Sequence, residues 1–370
     1  MAELISPGRR AIAVPRFEMG KRPGTKPLIA LPPQPKRIPL NILFGLPDDA
    51  RAWVTLDENR CLKFELPGTA DIAPHLSRER FAAELVYLHV GRKEPVRISP
   101  GPLLNHIGDA DICSETLKLV EEIVSKTGRP CFNHPAAIAG TTRDGVSRVL
   151  TGIPGLEVPK TIRIAAPAPA ELRAAVRDAG LDFPILIRVA GSHRGMNMIR
   201  VDRPDAIDEI NQLNRNIHAA LYVTEFRDFR SPDGRYRKFR IAMVGDDLFL
   251  RHMIVGESWL IHGMKPTDEE LALFESFDEE QAGRLRPVFR EISRRLDLDF
   301  FGVDCNIDAS GKVLLFEANA CMGILGQTQT SSNIKAATIT RIHQAVEDRI
   351  ASPTIWRHFQ LRAQAPKALT

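Results

Sequence analysis

The run Phe300-Phe-Gly-Val-Asp-Cys-Asn-Ile-Asp-Ala-Ser-Gly-Lys-Val-Leu-Leu-Phe-Glu-Ala-Asn319 decides how this chain is read. Two apolar stretches, Phe300–Ile307 and Val313–Asn319, flank Asp308-Ala-Ser-Gly-Lys312, which has the composition of a turn, so the run reads as a β-hairpin. Side chains alternate faces along a strand, which puts Glu317 and Asn319 on the same face. A turn centred near Ser310 brings Asp304 almost opposite Glu317. Three oxygen-bearing side chains then converge, and two ionised carboxylates this close repel unless a cation neutralises them. All-oxygen donors suit a hard ion such as Mg²⁺, which keeps waters and takes phosphate oxygens as further ligands. Phe301, Val303, Leu315 and Phe316 would pack the hairpin into a body, although a half-exposed sheet with a wet polar face has the same pattern.

Upstream lie the cations. Arg188 sits inside the β-branched strand Pro184-Ile-Leu-Ile-Arg-Val-Ala190, where a buried guanidinium needs an anionic partner. A phosphate suits its planar fork, and a cross-strand carboxylate is the alternative. The polar loop Gly191-Ser192-His-Arg-Gly195 follows; its glycines allow backbone N–H groups close to a phosphate and allow lid motion, or make an ordinary hairpin turn. Leu221-Tyr-Val-Thr-Glu225-Phe226 is a strand whose end could present backbone groups to an adenine edge, or simply carry an edge carboxylate. Tyr236–Val244 and Leu248–Val255 flank Gly245-Asp-Asp247 as a second hairpin. It carries Arg240 and Arg251, each within an apolar run and each able to face a phosphate or a substrate carboxylate, and Lys238 shares a strand face with Arg240.

Further out, strands alternate with helices, which predicts an α/β class. Leu40–Gly45 reads as a buried strand, Ser77–Leu85 as a helix by its spacing, Val86–Val90 as strand-like and Arg129–Asn133 as extended. Leu117–Lys126 reads as a helix stopped by Gly128, Thr142–Leu150 as another, Ile162–Ala165 as extended, and Ala170–Ala179 as a helix stopped by Gly180. Met196–Val201 is a strand; Ala206–Asn216, Pro287–Leu296 and Ala336–Ile350 are helical. From Ser352 onward a surface extension is expected.

Composition sets the frame. The 370 residues are 44% hydrophobic and 26% charged, ordinary for a globular protein with a sizeable core. No apolar run is long enough to cross a bilayer, and the N-terminus, with Glu3 and no apolar h-region, does not read as a signal peptide. Cys61, Cys113, Cys131, Cys305 and Cys321 are scattered with no CxxC pair, which fits free thiols in a reducing cytoplasm. Of the net charge of +4, about +6 belongs to Met1–Arg37, a Pro-rich leader read as extended or disordered. That leader either stays solvated or docks on an acidic partner. The remainder, at about −2, lacks the basic field of a nucleic-acid binder.

Taken in order, these pieces resemble the ATP-grasp superfamily, and within it the carboxylate–amine ligases of the glutathione synthetase and D-alanine–D-alanine ligase type. The matching run is Asn133-His-Pro-Ala-Ala-Ile138, Leu156-Glu-Val-Pro-Lys-Thr161, Phe183–Arg188 with its glycine loop, Val223–Phe226, Lys238-Phe-Arg240, Gly302-Val-Asp304 and Phe316-Glu-Ala-Asn319. The likeness covers about Ile38 to Ile350. It implies an α/β (α+β) ATP-grasp fold preceded by a Rossmann-like domain: residues 38–135 the preceding domain, 136–221 the N-terminal lobe with the glycine loop, 222–350 the C-terminal lobe with the metal hairpin, and 351–370 an extension.

The resemblance also implies roles. Asp304, Glu317 and Asn319 would hold Mg²⁺ (two ions, with Mn²⁺ a substitute) that bridges the phosphates of ATP. Arg188, Gly191, Ser192, Gly195, Glu225, Phe226 and Lys238 would bind the nucleotide; Arg240 and Arg251 would act in catalysis, Arg240 near the γ-phosphate. The implied chemistry activates a small-molecule or peptide carboxylate as an acyl phosphate, which an amine attacks. The alternatives are a non-catalytic or regulatory nucleotide-binding protein, or a kinase on the same fold. Two departures stand out: Arg188 replaces the usual nucleotide-binding lysine, and near Arg143-Asp-Gly145 a second lysine is missing, with Arg143 or Arg148 as candidate substitutes. The acceptor site would involve the loop Gly256–Pro266, with Glu257, Trp259, His262 and Lys265, and nearby His252, unless that loop is merely solvated. A homodimer is common among such relatives; neither nucleic acid nor membrane is an expected partner.

Overall fold

The computed structural model describes residues 36–56, 62–92, 95–193, 195–213, 219–261, 267–326 and 333–358. Residues 1–35 of the expected basic leader, His262 and Lys265 lie outside the described residues. Among the described residues, no helix is long and apolar enough to cross a membrane.

Among the described residues the first elements are β1 (Ile38–Gly45), a small hairpin of β2 (Trp53–Leu56) and β3 (Leu62–Glu65), then β4 (Phe81–Leu88) and β5 (Leu103–Asn105). Helix α1 (Ser114–Thr127) leads to β6 (Cys131–Phe132). Together β4-β1-β5-β6 form an all-parallel sheet. Gly128 ends α1 in the left-handed region (φ 64°), as its position predicts. The helix expected over Ser77–Leu85 is instead a turn entering β4, where Phe81 pairs with Ile38 and the strand runs in register with β1 to Leu88. Nine residues with apolar spacing do not separate helix from strand, and the ladder along β1 overrides the local preference of Ala and Glu.

Two short helices, α2 (Pro135–Ala139) and α3 (Arg143–Leu150), and the two-residue β7 (Leu156–Glu157) precede a second sheet. Its members are β8 (Thr161–Ile164), β9 (Ile185–Val189), β10 (Met198–Val201) and β11 (Leu221–Glu225), ordered β10-β9-β11-β8 and antiparallel throughout, with α4 (Pro169–Asp178) between β8 and β9. The helix expected over Ala206–Asn216 is a 3₁₀ helix, Pro204–Gln212, and residues 214–216 lie outside the described set. Ile207 and Ile210 are buried at a spacing of three, the period of a 3₁₀ turn.

The third sheet, β13-β12-β14-β15-β7, is built from β12 (Tyr236–Val244), β13 (Asp247–Gly256), β14 (Phe300–Ile307) and β15 (Val313–Asn319). Helices α5 (Asp268–Ser276) and α6 (Ala282–Leu296) separate β13 from β14, and α7 (Asn333–Ile350) follows. Apolar side chains of the first and third sheets and of the segments packed on them share cores: Leu43, Leu88 and Val120 of α1 belong with Ile241, Val303 and Phe289 of α6, while Leu40, Ile42 and Phe132 belong with Phe300 and, after β15, Met322. The second sheet has a core of its own around Leu172, Ile187 and Val223. Past α7, the expected surface extension instead buries Trp356 completely, edge-on to Phe132 at 5.4 Å. An indole removes too much apolar area from water to be left on a surface when a groove beside Phe132 accepts it.

Candidate active site

The hairpin β14–β15 sets Asp304 directly opposite Glu317, and Gly302 opposite Asn319. Two irregularities sit at the same level. The β14–β15 register shifts after Asp304, leaving Phe316 as the extra residue, and the β12–β13 register shifts after Arg240, leaving Arg251 extra. Arg240 and Asp304 are themselves partners across β12–β14. Bulges of this kind bend a strand and re-aim its side chains, and they gather beside functional sites.

The two carboxylates are held by cations from different elements. Asp304, 5% exposed, receives both Arg240 Nε (2.7 Å) and Nη2 (2.9 Å), with Lys238 Nζ at 3.7 Å. Glu317 accepts from Arg143 Nη2 at 2.6 Å and from Asn319 Nδ2 at 2.7 Å. Burial alone would raise the Glu317 carboxyl, but Arg143, Arg188 and His193 outweigh it and hold the group down to about 2. It is therefore ionised at neutral pH. Burial lowers the Arg188 guanidinium to about 10, and the charge of Arg143 adds to that. Arg188 donates to the Ser192 carbonyl and keeps a buried Nε without a partner. Of the two substitutes considered near Gly145, Arg143 reaches the site, while Arg148 is exposed on the far face of α3.

Gly191 and His193 of the glycine loop lie against the loop that follows β5. His193 Nε2 is 2.7 Å from Asp109 Oδ2, and Gly191 and Gly195 have positive φ of 72° and 69°. Tyr222 on β11 donates to Asp111 at 2.6 Å. At the end of β11, Glu225 accepts from Arg227 at 2.6 Å, and the Phe226 ring lies beneath the Arg200 guanidinium (4.3 Å) and beside Trp259 (5.6 Å). Trp259 thus joins the Phe226 edge. The backbone N–H groups of Glu225 and Phe226 are engaged by the carbonyls of Lys160 and Pro184.

Arg251 is directed to backbone rather than to a carboxylate: it donates to the carbonyls of Ile324 (2.5 Å) and Gly326 (2.7 Å) and so shapes the turn after β15. His252 is buried with Nε2 unpartnered, and its imidazole is pushed well below its ordinary value by burial, with Arg240, Arg251, Lys335 and Lys238 adding to the effect. Glu257 is exposed. Between the second and third sheets lies a cavity of about 50 Å³, lined by Arg143, Ser147, Val158, Thr161, Thr224 and Phe316 among others.

This architecture has known counterparts. It matches the VanG D-Ala:D-Ser ligase of Enterococcus faecalis with a TM-score of 0.54 and 14% identity, over 86% of this chain and all of that one. It also matches the D-alanine–D-alanine ligase of Coxiella burnetii with a TM-score of 0.50 and 12% identity, over 90% of this chain and all of that one. The chain has an ATP-grasp fold. No family model matches the sequence. No curated protein matches it either. At 12–14% identity the likeness to these ligases speaks for the ATP-grasp fold, and the chemistry has to be argued from the site.

Proposed function

We propose that the protein is an ATP- and Mg²⁺-dependent ligase joining a carboxylate to an amine through an acyl phosphate. The carrying observation is the facing pair Asp304 and Glu317, ringed by Arg143, Arg188, Lys238 and Arg240. Residues 136–221 and 222–350 form the two lobes in this reading, with residues 38–135 as the preceding domain.

The donor set fits a hard divalent ion. Asp304 and Glu317 face each other across the hairpin and Glu317 is ionised, so once the arginines paired with them turn away the two carboxylates offer oxygens to one divalent ion. Asp304, Glu317 and Asn319 would hold Mg²⁺, which when bound neutralises charge on the phosphate oxygens. The arginines that now occupy the carboxylates would then turn to the phosphates; Arg240 and Lys238 reach the transferring end, Arg143 and Arg188 the rest. Gly191, Ser192 and Gly195 cover the phosphates, and Glu225 and Phe226 border the base. Arg251 positions the turn that carries residues 324–326. A substrate carboxylate oxygen attacks the γ-phosphorus as the bond to ADP breaks. The amine nitrogen then attacks the acyl carbon, phosphate leaves, and the nitrogen's extra proton passes to solvent.

The test is calorimetry of Mg-ATP binding by the wild type and by Asp304→Ala with Glu317→Ala, followed by ADP release with acid and amine together. Magnesium-dependent binding that vanishes in the double variant is the expected result; a folded wild type that binds no nucleotide would sink the reading. A second reading rests on Arg143 and Arg188 standing where the resemblance leads one to expect lysines: nucleotide binding without turnover. It predicts the same calorimetry and no ADP release with any acid–amine pair.

A further inference from the structure

Asp109, His193 and Cys321 meet beside this site, each from a different part of the fold. Asp109 follows β5, His193 is in the glycine loop between β9 and β10, and Cys321 is in the turn after β15. One ligand atom from each, a carboxylate oxygen, an imidazole nitrogen and a thiol sulfur, lies within 4.8 Å of the others. Two close approaches bring them together. A Cβ on Gly108 would lie 2.8 Å from Cys321 N, and one on Gly191 would lie 2.5 Å from Ile112 Cγ2, so both glycines let neighbouring loops touch. The donors are also oriented. Asp109 Oδ1 accepts from Asp111 N (2.8 Å) and Ile112 N (3.4 Å), which leaves Oδ2 for His193. Cys321 is held by Asn319 Oδ1, which accepts its N–H at 3.1 Å and its S–H at 3.3 Å.

We propose that this trio is a binding site for a borderline-soft divalent cation of the zinc class, distinct from the all-oxygen Mg²⁺ position, and that the bound ion ties the glycine loop to the body. One sulfur, one nitrogen and one oxygen donor favour zinc over magnesium. Three protein ligands leave a fourth position for water. In a tetrahedral site such donors stand about 3–4 Å apart, so the present arrangement needs adjustments of about 1 Å. Binding replaces the Cys321 S–H bond with a sulfur–metal bond and releases the proton to solvent. The Asp109–His193 hydrogen bond gives way to coordination by both. Glu317, 4.0 Å from His193 Nδ1, is the neighbouring carboxylate and carries no ligand role here. That the tethered loop is a nucleotide lid rests on the ligase reading; the cation site itself does not.

The experiment is a titration of the full chain with Co²⁺, read by absorbance, followed by displacement with Zn²⁺. One Co²⁺ per chain is expected, with a thiolate charge-transfer band and tetrahedral d–d intensity. Cys321→Ser should abolish the charge-transfer band. His193→Ala and Asp109→Asn should weaken binding about 100-fold or more. Asp109→Asn keeps the oxygen that caps its own turn, so it tests the ligand without undoing the loop. Cys113→Ser and Asp304→Ala should leave the spectrum unchanged, the latter even where it abolishes Mg-ATP binding. Amide exchange over residues 189–193 should slow when Zn²⁺ is added. No tight Co²⁺ binding by the wild type, a thiolate band that survives in Cys321→Ser, or exchange indifferent to Zn²⁺ would overturn the proposal.

Discussion

Two buried aspartates stand five residues apart, one just ahead of a strand and one within it. Asp299, just ahead of β14, is 1% exposed, and Asp304, inside it, is 5% exposed. Asp299 is held by Arg349 through Nε (2.9 Å) and Nη2 (2.7 Å), but also by the backbone N–H groups of Asn133 (3.2 Å) and Arg357 (3.0 Å). Asn133 returns the contact, accepting from the N–H groups of Asp299 and Phe300. Asp304 is bound bidentately by Arg240, which also donates to the Gly323 carbonyl (3.2 Å), with Lys238 nearby, so its partners are side chains on rotatable stems. A carboxylate fixed by main-chain donors locks segments together. One fixed by side-chain cations can exchange them for a metal or yield them to a phosphate.

The largest expected effect separates the two. Asp299→Ala strands a buried guanidinium and two N–H groups, and should cost about 3–5 kcal/mol of stability in chemical denaturation. Asp304→Ala leaves Arg240 and Lys238 partly hydrated, so its cost should stay below about 2 kcal/mol, while Mg-ATP binding is lost. Equal destabilisation by the two variants would mean that Asp304 is a second lock, and the contrast would fail.

Acid titration sharpens the contrast, because Glu317, which faces Asp304 and is held by side-chain cations, and Asp299 shift in opposite directions. Glu317 ionises at about 2 in the folded protein against an ordinary 4.5, so the unfolded chain binds its proton first as pH falls. Its stabilisation is complete above about pH 4.5 and is lost on descending towards pH 2. Asp299 goes the other way: burial raises its carboxyl above the usual value in spite of Arg349, so its ionisation lowers stability as pH rises. Glu317→Gln should therefore remove up to about 1.4 kcal/mol per pH unit from the acid limb of the unfolding free energy. An unchanged acid limb would show that the arginines do not hold Glu317 ionised.

Much of this site was legible because it is local. The spacing of Asp304, Glu317 and Asn319 around one turn gives their convergence, and the observed register pairs Asp304 with Glu317. The bulge at Phe316 was not legible, since one extra residue leaves no mark in an alternating apolar pattern. Arg188 was singled out because a charge within an apolar strand is conspicuous. Arg143, on a polar helix start, was one of two candidates until α3 placed it on Glu317. The Asp109–His193–Cys321 cluster has no sequence spacing at all, because three loops bring it together. Asn133 was quoted only as part of a motif, and its lock on Asp299 depends on a contact across more than 160 residues. The misread stretch, Phe81–Leu85, shows the same limit: its identity as a strand comes from β1 beside it.

The smallest expected effect concerns how Arg143 is delivered. It occupies the first helical position of α3, where the partial positive charge of the helix N-terminus disfavours a cation. Glu317 and the Phe316 carbonyl hold it there, at 2.6 and 3.3 Å. Thr142 starts the helix by accepting the Gly145 N–H with its hydroxyl at 3.3 Å. Thr142→Ala should cost about 1 kcal/mol of stability, and Thr142→Ser should restore most of it. The same change should weaken Mg-ATP binding less than tenfold, because the cap sets only where Arg143 begins, whereas the ion pair with Glu317 sets where it ends. A loss as large as that of Asp304→Ala would mean that the helix start, and not the carboxylate, positions the cation. In that case the site would be held as rigidly as the Asp299 lock.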